Sequence, residues 1–310
     1  MVRFLRDARI TPPFFTMNTK FTKLFNAETS ARWILRAAAA LNIVFVILIC
    51  GYLVASGLLA IFKIGIGDFF FNTRWASTAT PPSFGILPFI LTSFYGTALA
   101  LAIGLPIGFF TAVYIASFAV RPVKRILGSA VDLLAGIPSV VYGLVGMLTL
   151  VPWIQDTFDE PDGSGLLAAS LVLALMILPT IVKVSVNAIE SVPKDYALAS
   201  LALGANKTET VFRVLVPAAK SGIAAAAVLG VGRALGEAMA VMMVAGNAPN
   251  MPGLFESVRF LTTAVASEMS YSTGLQREAL FSIALVLFFF ILGVNALLNA
   301  ILKRGNNYEN

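Results

Sequence analysis

Six long apolar stretches restrict what this sequence can fold into. Each is long enough to cross about 30 Å of hydrocarbon as a helix, with tilt where the stretch exceeds the bilayer thickness. Of the 310 residues, 58% are hydrophobic and only 12% are charged, which is more apolar surface than a soluble core needs. The sequence therefore predicts an all-α polytopic membrane protein with six transmembrane helices. The predicted spans are residues 37–62, 85–118, 131–151, 165–182, 221–245 and 279–302.

The Lys and Arg residues are distributed unequally between the two sides of these six spans. Cytoplasmic loops of membrane proteins carry an excess of basic residues. Of the 22 Lys and Arg residues, Arg233 falls within a span, and the outer loops contain only Lys63, Arg74, Arg259 and Arg277. The charged residues of the loop between the third and fourth spans are all acidic. We therefore expect both termini, and the loop between the fourth and fifth spans, in the cytoplasm.

The residue types exclude several kinds of catalytic site. The sequence contains no His, and its single Cys, Cys50, lies inside an apolar stretch. Disulfides, His-based catalysis and a Cys/His metal site are therefore not expected within this chain. No G-x-x-x-x-G-K-[ST] phosphate-binding loop occurs either, so we expect no ATP hydrolysis by the chain itself. No spacing of nucleophile and base indicates a catalytic dyad, and the chain is not expected to be an enzyme.

The polar segment between the fourth and fifth spans predicts two short helices with a sharp joint. Pro193 suits the first turn of a helix, and Gly204 suits a left-handed cap at the end of that helix. Asn206 and Glu209 have the spacing of a capping box at the start of the second helix. Pro217 is expected to open the next span. Two compact helices with apolar and charged faces at the membrane surface form a docking surface for another protein.

This segment, residues 193–217, resembles the cytoplasmic coupling loop of the permease subunits of ABC importers, which has the pattern E-A-A-x3-G-x9-I-x-L-P. Ala199, Gly204 and Pro217 match the pattern and its spacing, whereas Leu198 stands where the family has its leading Glu. Three further stretches resemble the C-type permeases of phosphate-specific transport systems. They are residues 133–146 (LLAGIPSVVYGLVG), 176–180 (MILPT) and 232–247 (GRALGEAMAVMMVAGN).

The resemblance implies a type I ABC importer permease (MetI-like) fold in the bacterial cell inner membrane. It divides the chain into a cytoplasmic N-terminal arm at residues 1–36, a first transmembrane helix and external loop at 37–84, and a permease core at 85–304. The coupling loop, residues 193–217, belongs to the core. The coupling-loop residues implied to act in docking are Tyr196, Ala199, Gly204, Ala205, Glu209, Phe212 and Pro217.

The resemblance also implies the partners of the chain. They are a second permease subunit (PstA-like), an ATPase dimer (PstB-like) and an external phosphate-binding protein (PstS-like). ATP and Mg are expected on the ATPase dimer, and this chain is expected to hold no cofactor or metal of its own. The implied cargo is inorganic phosphate. A permease of the same architecture for another oxyanion, molybdate or sulfate, is the alternative.

Two charged residues, Arg233 and Glu237, lie inside the predicted fifth span. At 1.5 Å per residue, Arg233 lies about 20 Å along the helix from Lys220, near the bilayer centre, where an unpaired charge is costly. Glu237 is expected one turn further on the same face, close enough to pair. The pair is either a structural lock between helices or an anion site in which the guanidinium holds phosphate oxygens. The resemblance to phosphate permeases favours the anion site.

Other polar and flexible positions in the spans also have two interpretations. Asp132, expected at the start of the third span, is either a polar group of the transport route, as the resemblance implies, or an interfacial carboxylate favoured by the helix dipole. The Gly/Pro breaks at residues 137–138 and 178–179 are either hinges or packing kinks. Gly104 and Gly108 have the spacing that lets a neighbouring helix approach closely.

Overall fold

The computed structural model describes residues 19–306, with side chains described for residues 29–298 and for residue 300. The chain divides into two compact units, Met1–Tyr52 and Leu53–Asn310. Helix α1, Thr19–Ile64, begins in the first unit and ends in the second, and its apolar part contains the predicted first span. The predicted N-terminal arm lies partly outside the described residues. From Thr19 onward the arm is helical and continuous with the first span.

Five helices in the described part of the chain are long and apolar enough to cross a membrane, and a bent helix pair is a sixth candidate. The five are Thr29–Ile64, Leu87–Phe118, Ser139–Phe158, Leu166–Glu190 and Gly274–Leu298. The bent pair joins Lys207–Ala218 to Lys220–Gly236 at an angle of 67°. These helices confirm the predicted polytopic, mainly helical class. The side of the membrane on which each terminus lies stays a prediction.

Most helices of the second unit follow one another with short connections, and the longest connections lie at residues 72–86 and 245–260. They are α2 Ile66–Phe71, α3 Leu87–Val113, α4 Arg121–Gly136, α5 Ser139–Val145, α6 Val151–Phe158, α7 Leu166–Glu190, α8 Lys194–Ala202, α9 Lys207–Thr210, α10 Val216–Ala218, α11 Lys220–Gly236, α12 Met239–Val244, α13 Leu261–Glu268 and α14 Gly274–Asn306. Single π-helical turns extend α3, join α5 to α6 and join α9 to α10. They are Tyr114–Phe118, Gly146–Leu150 and Val211–Leu215.

A short antiparallel hairpin lies in the predicted outer loop before α3. Its strands are β1, Trp75–Ala76, and β2, Ser83–Phe84. The ring of Trp75 lies 5.5 Å from those of Phe84 and Phe89, and its indole N–H donates to the Glu268 carboxylate at 3.2 and 3.3 Å. The all-α prediction missed this hairpin because two-residue strands leave no periodic pattern. Tertiary contacts of Trp75 anchor the hairpin instead.

Helices α3 and α7 pack closely and form the centre of the largest apolar core. A Cβ added to Gly104 would lie 3.0 Å from Ile177 Cδ1, and one added to Gly108 would lie 2.8 Å from Ile181 Cγ2. The two glycines therefore let α7 approach the backbone of α3, as the small-residue spacing predicted. Fully or nearly fully buried side chains of this core include Leu173, Met176, Ile177, Ile181, Val241 and Val244.

The third span differs from the prediction, which placed it at residues 131–151. Before Pro138 the backbone of Ile137 is extended, with φ −69° and ψ 128°, and α4 ends there. Proline lacks an N–H and disfavours the helical conformation in the residue before it, so a new helix starts after the break. The membrane-crossing segment is Ser139–Phe158, and α4 is a separate helix that carries Asp132.

The fifth span is interrupted, which the sequence did not predict. Helix α11 ends at Gly236, Glu237 is extended with φ −78° and ψ 127°, and α12 begins two residues later. In contrast, α7 continues through Pro179 and is not broken at residues 178–179, and the choice between a hinge and a packing kink there stays a prediction. Pro179 is buried, and α7 packs against both α3 and α11. This packing keeps the helix intact although proline removes one of its hydrogen bonds.

The six-span arrangement predicts the sidedness of two exposed positions. Asp159 follows α6 and Lys207 begins α9. In a Cys50→Ala background, Asp159→Cys should react with an impermeant thiol reagent added outside intact cells. Lys207→Cys should react only in inverted vesicles, because an even number of spans separates it from the cytoplasmic N-terminus. The Cys50→Ala parent is the control for background labelling, and labelling of both cysteines from the same side would contradict the six-span arrangement.

Candidate functional site

Two interrupted helices, α5 and α12, pack against each other within the apolar core. A Cβ added to Gly143 of α5 would lie 2.8 Å from the Cα of Ala240 in α12, so only glycine permits this approach. A Cβ added to Gly146, one turn further along, would lie 2.7 Å from Cγ2 of Val172 in α7. Each of the two helices starts just after a backbone break, at Ile137 and Glu237. Paired broken helices are typical of binding sites in transporters.

Arg233 projects from the last turns of α11 beside these breaks. Its side chain is partly buried, and its Nη1 lies 3.5 Å from the Oγ1 of Thr180 on α7. Its positive charge also acts on the hydroxyl of Tyr142 on α5. Within the described part of the chain, Arg233 forms no ion pair. Thr180 of α7 therefore lies beside a guanidinium that no ion pair within the described residues neutralises.

Glu237 is the C-cap residue of α11, which ends at Gly236. Within the described residues no ion pair joins it to Arg233, so the predicted pair does not form. The Glu237 carboxylate instead accepts the backbone N–H of Ala240 at 3.1 Å, and its carbonyl accepts the hydroxyl of Thr262 at 2.8 Å. Glu237 therefore caps the start of α12 and satisfies backbone groups that the break exposes.

Asp132 lies away from the start of a span, close to the C-terminal end of α4. It is exposed, and its carboxylate lies 2.6 Å from the Lys183 ammonium of α7. A second ion pair, Lys124 with Glu190, joins the same two helices. The expected position in the first turn of the third span is therefore wrong. The structure instead makes Asp132 one of two surface contacts that hold α4 against α7.

Sequence reasoning did not single out three polar residues near Arg233. Thr180 and Tyr142 face its charge, and Thr262 holds the carbonyl of Glu237. The Tyr142 hydroxyl donates to the carbonyl of Leu134 at 2.8 Å. This hydrogen bond crosses the Pro138 break and satisfies a backbone carbonyl in the last turn of α4. Thr180 could have been found, because it directly follows Pro179 inside an otherwise apolar span. Thr262 leaves no such signal, because it lies in the first turn of α13, 25 residues after Glu237 in the sequence.

The coupling loop, residues 193–217, folds into the two predicted helices with a joint at Gly204. Gly204 has φ +90°, which confirms the predicted left-handed cap. The capping box is also confirmed: Asn206 N–H donates to Glu209 Oε2, and Glu209 N–H donates to Asn206 Oδ1, both at 2.9 Å. The hydroxyls of Ser200 and Thr210 lie 3.0 Å apart and join the two helices.

Both prolines of the coupling loop lie differently from the prediction. Pro193 is extended, with ψ 135°, and precedes α8 rather than lying in its first turn. Pro217 lies in the last turn of the second coupling helix, Lys207–Ala218, and the next span begins after it at Lys220. The sharp bend between these two helices therefore falls at Ala219.

Apolar side chains are exposed on the coupling loop. Leu203 at the joint is 90% exposed, Leu198 is 62% exposed and Tyr196 is 54% exposed. Leu198, which replaces the family's Glu, thus presents an apolar side chain at the surface. Among the other predicted docking residues, Ala199, Gly204, Phe212 and Pro217 are exposed, whereas Ala205 and Glu209 are half-buried. An exposed apolar group of this kind is typical of a protein interaction site.

Comparison with known sequences identifies relatives over most of the chain. Residues 104–305 match the family described as binding-protein-dependent transport system inner membrane component. The chain is 39% identical over 274 residues to the probable ABC transporter permease protein YqgH of Bacillus subtilis (strain 168), covering 86% of this chain and 89% of that protein. It is 34% identical over 242 residues to the phosphate transport system permease protein PstC of Pasteurella multocida (strain Pm70), covering 71% and 76%.

Solved structures with a similar fold are bacterial ABC transporters. A transporter involved in the import of the acidic polysaccharide alginate matches with a TM-score of 0.61 at 16% identity, over 91% of this chain and 99% of that chain. The inward-facing MetNI methionine transporter matches with a TM-score of 0.51 at 20% identity, over 71% and 94%. At these identities the likeness shows the fold alone. It confirms the predicted type I ABC importer permease fold.

Proposed function

Because this chain belongs to the family of binding-protein-dependent transport system inner membrane components, and is thus a permease subunit of an ABC importer, we propose that its cargo is inorganic phosphate. A permease subunit is not itself an enzyme, and ATP hydrolysis is the task of partner ATPase subunits. The observation that carries the proposal is the uncompensated guanidinium of Arg233 beside two interrupted helices. Relatives named as phosphate transport permeases support the same cargo.

The chemistry of Arg233 favours an oxyanion as cargo. A guanidinium presents a planar fork of N–H donors that matches two oxygens of a phosphate group, and its charge does not titrate in the physiological range. A charge inside a membrane span usually faces a pathway or a partner charge. Arg233 has no partner charge in the described residues, which supports a place along the anion route. Thr180 and Tyr142 add hydroxyls beside it.

Glu237 distinguishes phosphate from other oxyanions. The carboxylate lies at the break that follows Arg233, and Oε1 accepts the N–H of Ala240. A hydrogen phosphate carries a proton that the carboxylate can accept, whereas sulfate and molybdate carry none near neutral pH. The carboxylate also weakens the hold of Arg233 on an anion, which allows release. A molybdate or sulfate permease of the same architecture is the second candidate, because Arg233 alone would bind those anions too.

We propose the partners of this chain from the residues exposed on its coupling loop and from its membership of the family. The exposed apolar residues of the coupling loop support docking of an ATPase dimer (PstB-like) that binds ATP and Mg. The external binding protein would be PstS-like, and the second permease subunit would be PstA-like. Location in the bacterial inner membrane follows from the family. For Asp132, the ion pair with Lys183 supports a surface role over a place in the route.

Uptake by the complete reconstituted transporter tests the cargo. Proteoliposomes that contain both permease subunits and the ATPase dimer, with ATP inside and the binding protein outside, should accumulate labelled phosphate. Excess sulfate or molybdate should leave this uptake unchanged. Glu237→Gln keeps an oxygen acceptor for Ala240 and so preserves the cap, but it should weaken the rejection of sulfate. Accumulation of sulfate or molybdate in preference to phosphate would contradict the proposal and support the second candidate.

Arg233→Lys tests the anion site. Lysine keeps the positive charge but loses the planar fork of donors. The loss of one charge-assisted hydrogen bond, about 1.5–3 kcal/mol, corresponds to about 10- to 100-fold weaker anion binding. We expect phosphate uptake to fall by this order at normal membrane levels of the complex. Arg125→Lys makes the same replacement at an exposed position of α4 and should transport normally. Wild-type uptake by Arg233→Lys would show that Arg233 does not hold the anion.

Gly204→Val tests the joint of the coupling loop. A Cβ at Gly204 would meet no atom within 4 Å, so the effect of valine comes only from the positive φ, at about 1–2 kcal/mol. We expect the complex to co-purify intact, transport to be lost and ATP hydrolysis to become independent of the binding protein. Gly204→Asn is the control, because asparagine tolerates positive φ. Equal uptake by the Val and Asn variants would refute a coupling role for this cap.

A further inference from the structure

A cavity of about 630 Å³ lies beneath the coupling loop, outside the site around Arg233. Its walls come from the π-helical turn that ends the second span, from the ends of α4 and α7, and from both coupling helices. Most of the lining is apolar, and includes Ile189, Leu201, Val211 and Leu215. The cavity thus lies where two spans leave the membrane and the docking surface begins.

Three lysines line this cavity, and two of them have no counter-charge. Lys124 pairs with Glu190, which also lines the cavity. Lys194 and Lys207 form no ion pair within the part of the chain that the structure describes. The ammonium of Lys207 lies 5.3 Å from the centre of the Phe118 ring, which fixes its position beside the cavity. The cavity therefore carries a net positive charge of about two, consistent with an anionic occupant.

We infer that this cavity binds a phosphate-bearing anion, held by Lys194 and Lys207. Two sources share this chemistry: the headgroup of an acidic phospholipid and inorganic phosphate in the cytoplasm. The apolar lining favours the phospholipid, because an acyl chain would cover Leu201 and Leu215 while the headgroup stays at the lysines. Basic pockets between transmembrane helices on the cytoplasmic side are typical sites for anionic headgroups. The inference does not depend on the cargo of the transporter.

An anion in this position would connect parts of the chain that carry the docking surface. Lys194 begins the first coupling helix, Lys207 begins the second, and Ser117 belongs to the end of a span. One anion that is held by both lysines in a cavity lined by Ser117 would hold the coupling loop against the membrane-spanning helices. The composition of the surrounding bilayer would then affect how firmly the ATPase docking surface is held.

Native mass spectrometry of the complete purified transporter tests the site. The complex is loaded from mixed micelles of phosphatidylglycerol and phosphatidylcholine, and bound lipid is counted. We expect Lys194→Gln/Lys207→Gln to bind phosphatidylglycerol more weakly, on the order of tenfold, with phosphatidylcholine unchanged. Lys194→Arg/Lys207→Arg keeps both charges and should bind like the wild type. Arg125→Gln removes an exposed charge of α4 that does not line the cavity, and it should also bind like the wild type.

A second arm separates the two sources of the phosphate group. In lipid-free detergent, the melting temperature of each complex is measured with added inorganic phosphate or with sulfate. Loss of the phosphate-specific stabilisation in the Gln double variant, with phosphatidylglycerol binding unchanged, would assign the site to free phosphate. Equal binding of both ligands by the wild type and the Gln double variant would overturn the inference. The comparison with the Gln double variant isolates this cavity, because phosphate bound at Arg233 would stabilise the wild type and the variant alike.

Discussion

The requirement that backbone polar groups be satisfied inside the membrane governs where this protein can interrupt a helix. An unpaired N–H or C=O in hydrocarbon costs several kcal/mol. At the break in the fifth span, the Glu237 side chain accepts the N–H of Ala240, and Thr262 donates to the Glu237 carbonyl. At the break before α5, Tyr142 donates to the carbonyl of Leu134. Both interruptions are thus closed by side chains of the same chain, and Arg233 lies beside them.

Helix α7 holds the elements around Arg233 in place. It packs against α3, α4, α11 and α12, and its buried Pro179 leaves the helix continuous. Thr180 follows this proline and faces Arg233. Glycines make the close contacts, because Gly104 and Gly108 receive the side chains of α7. Helix α7 therefore holds Thr180 beside the Arg233 guanidinium, which forms no ion pair within the described residues.

Local rules made part of this structure predictable from the sequence. The apolar spans, the capping box at Asn206 and the positive φ of Gly204 depend on residues that are neighbours in the chain, and each was predicted. The break at Glu237 was not, because Thr262, which stabilises it, lies 25 residues away. For the same reason the sequence suggested an Arg233–Glu237 pair on one helix. At Pro179 the sequence suggested a break, but the helix is continuous, because tertiary packing on both sides of α7 outweighs the local cost of proline.

The position of the break in the fifth span determines which residues would move together with the coupling loop. Helix α11 is uninterrupted from Lys220 to Gly236, and it meets the second coupling helix at a 67° bend. Only Lys220–Gly236 is one uninterrupted helix, so a displacement of the docking surface that is transmitted past the bend at Ala219 would carry Arg233 with it. Beyond Gly236 the backbone is extended, and α12 is held by its contact with Gly143 of α5. A change in the backbone angles at this break would accommodate the displacement. Arg233 could then move relative to α5 and α12 while those two helices stay packed.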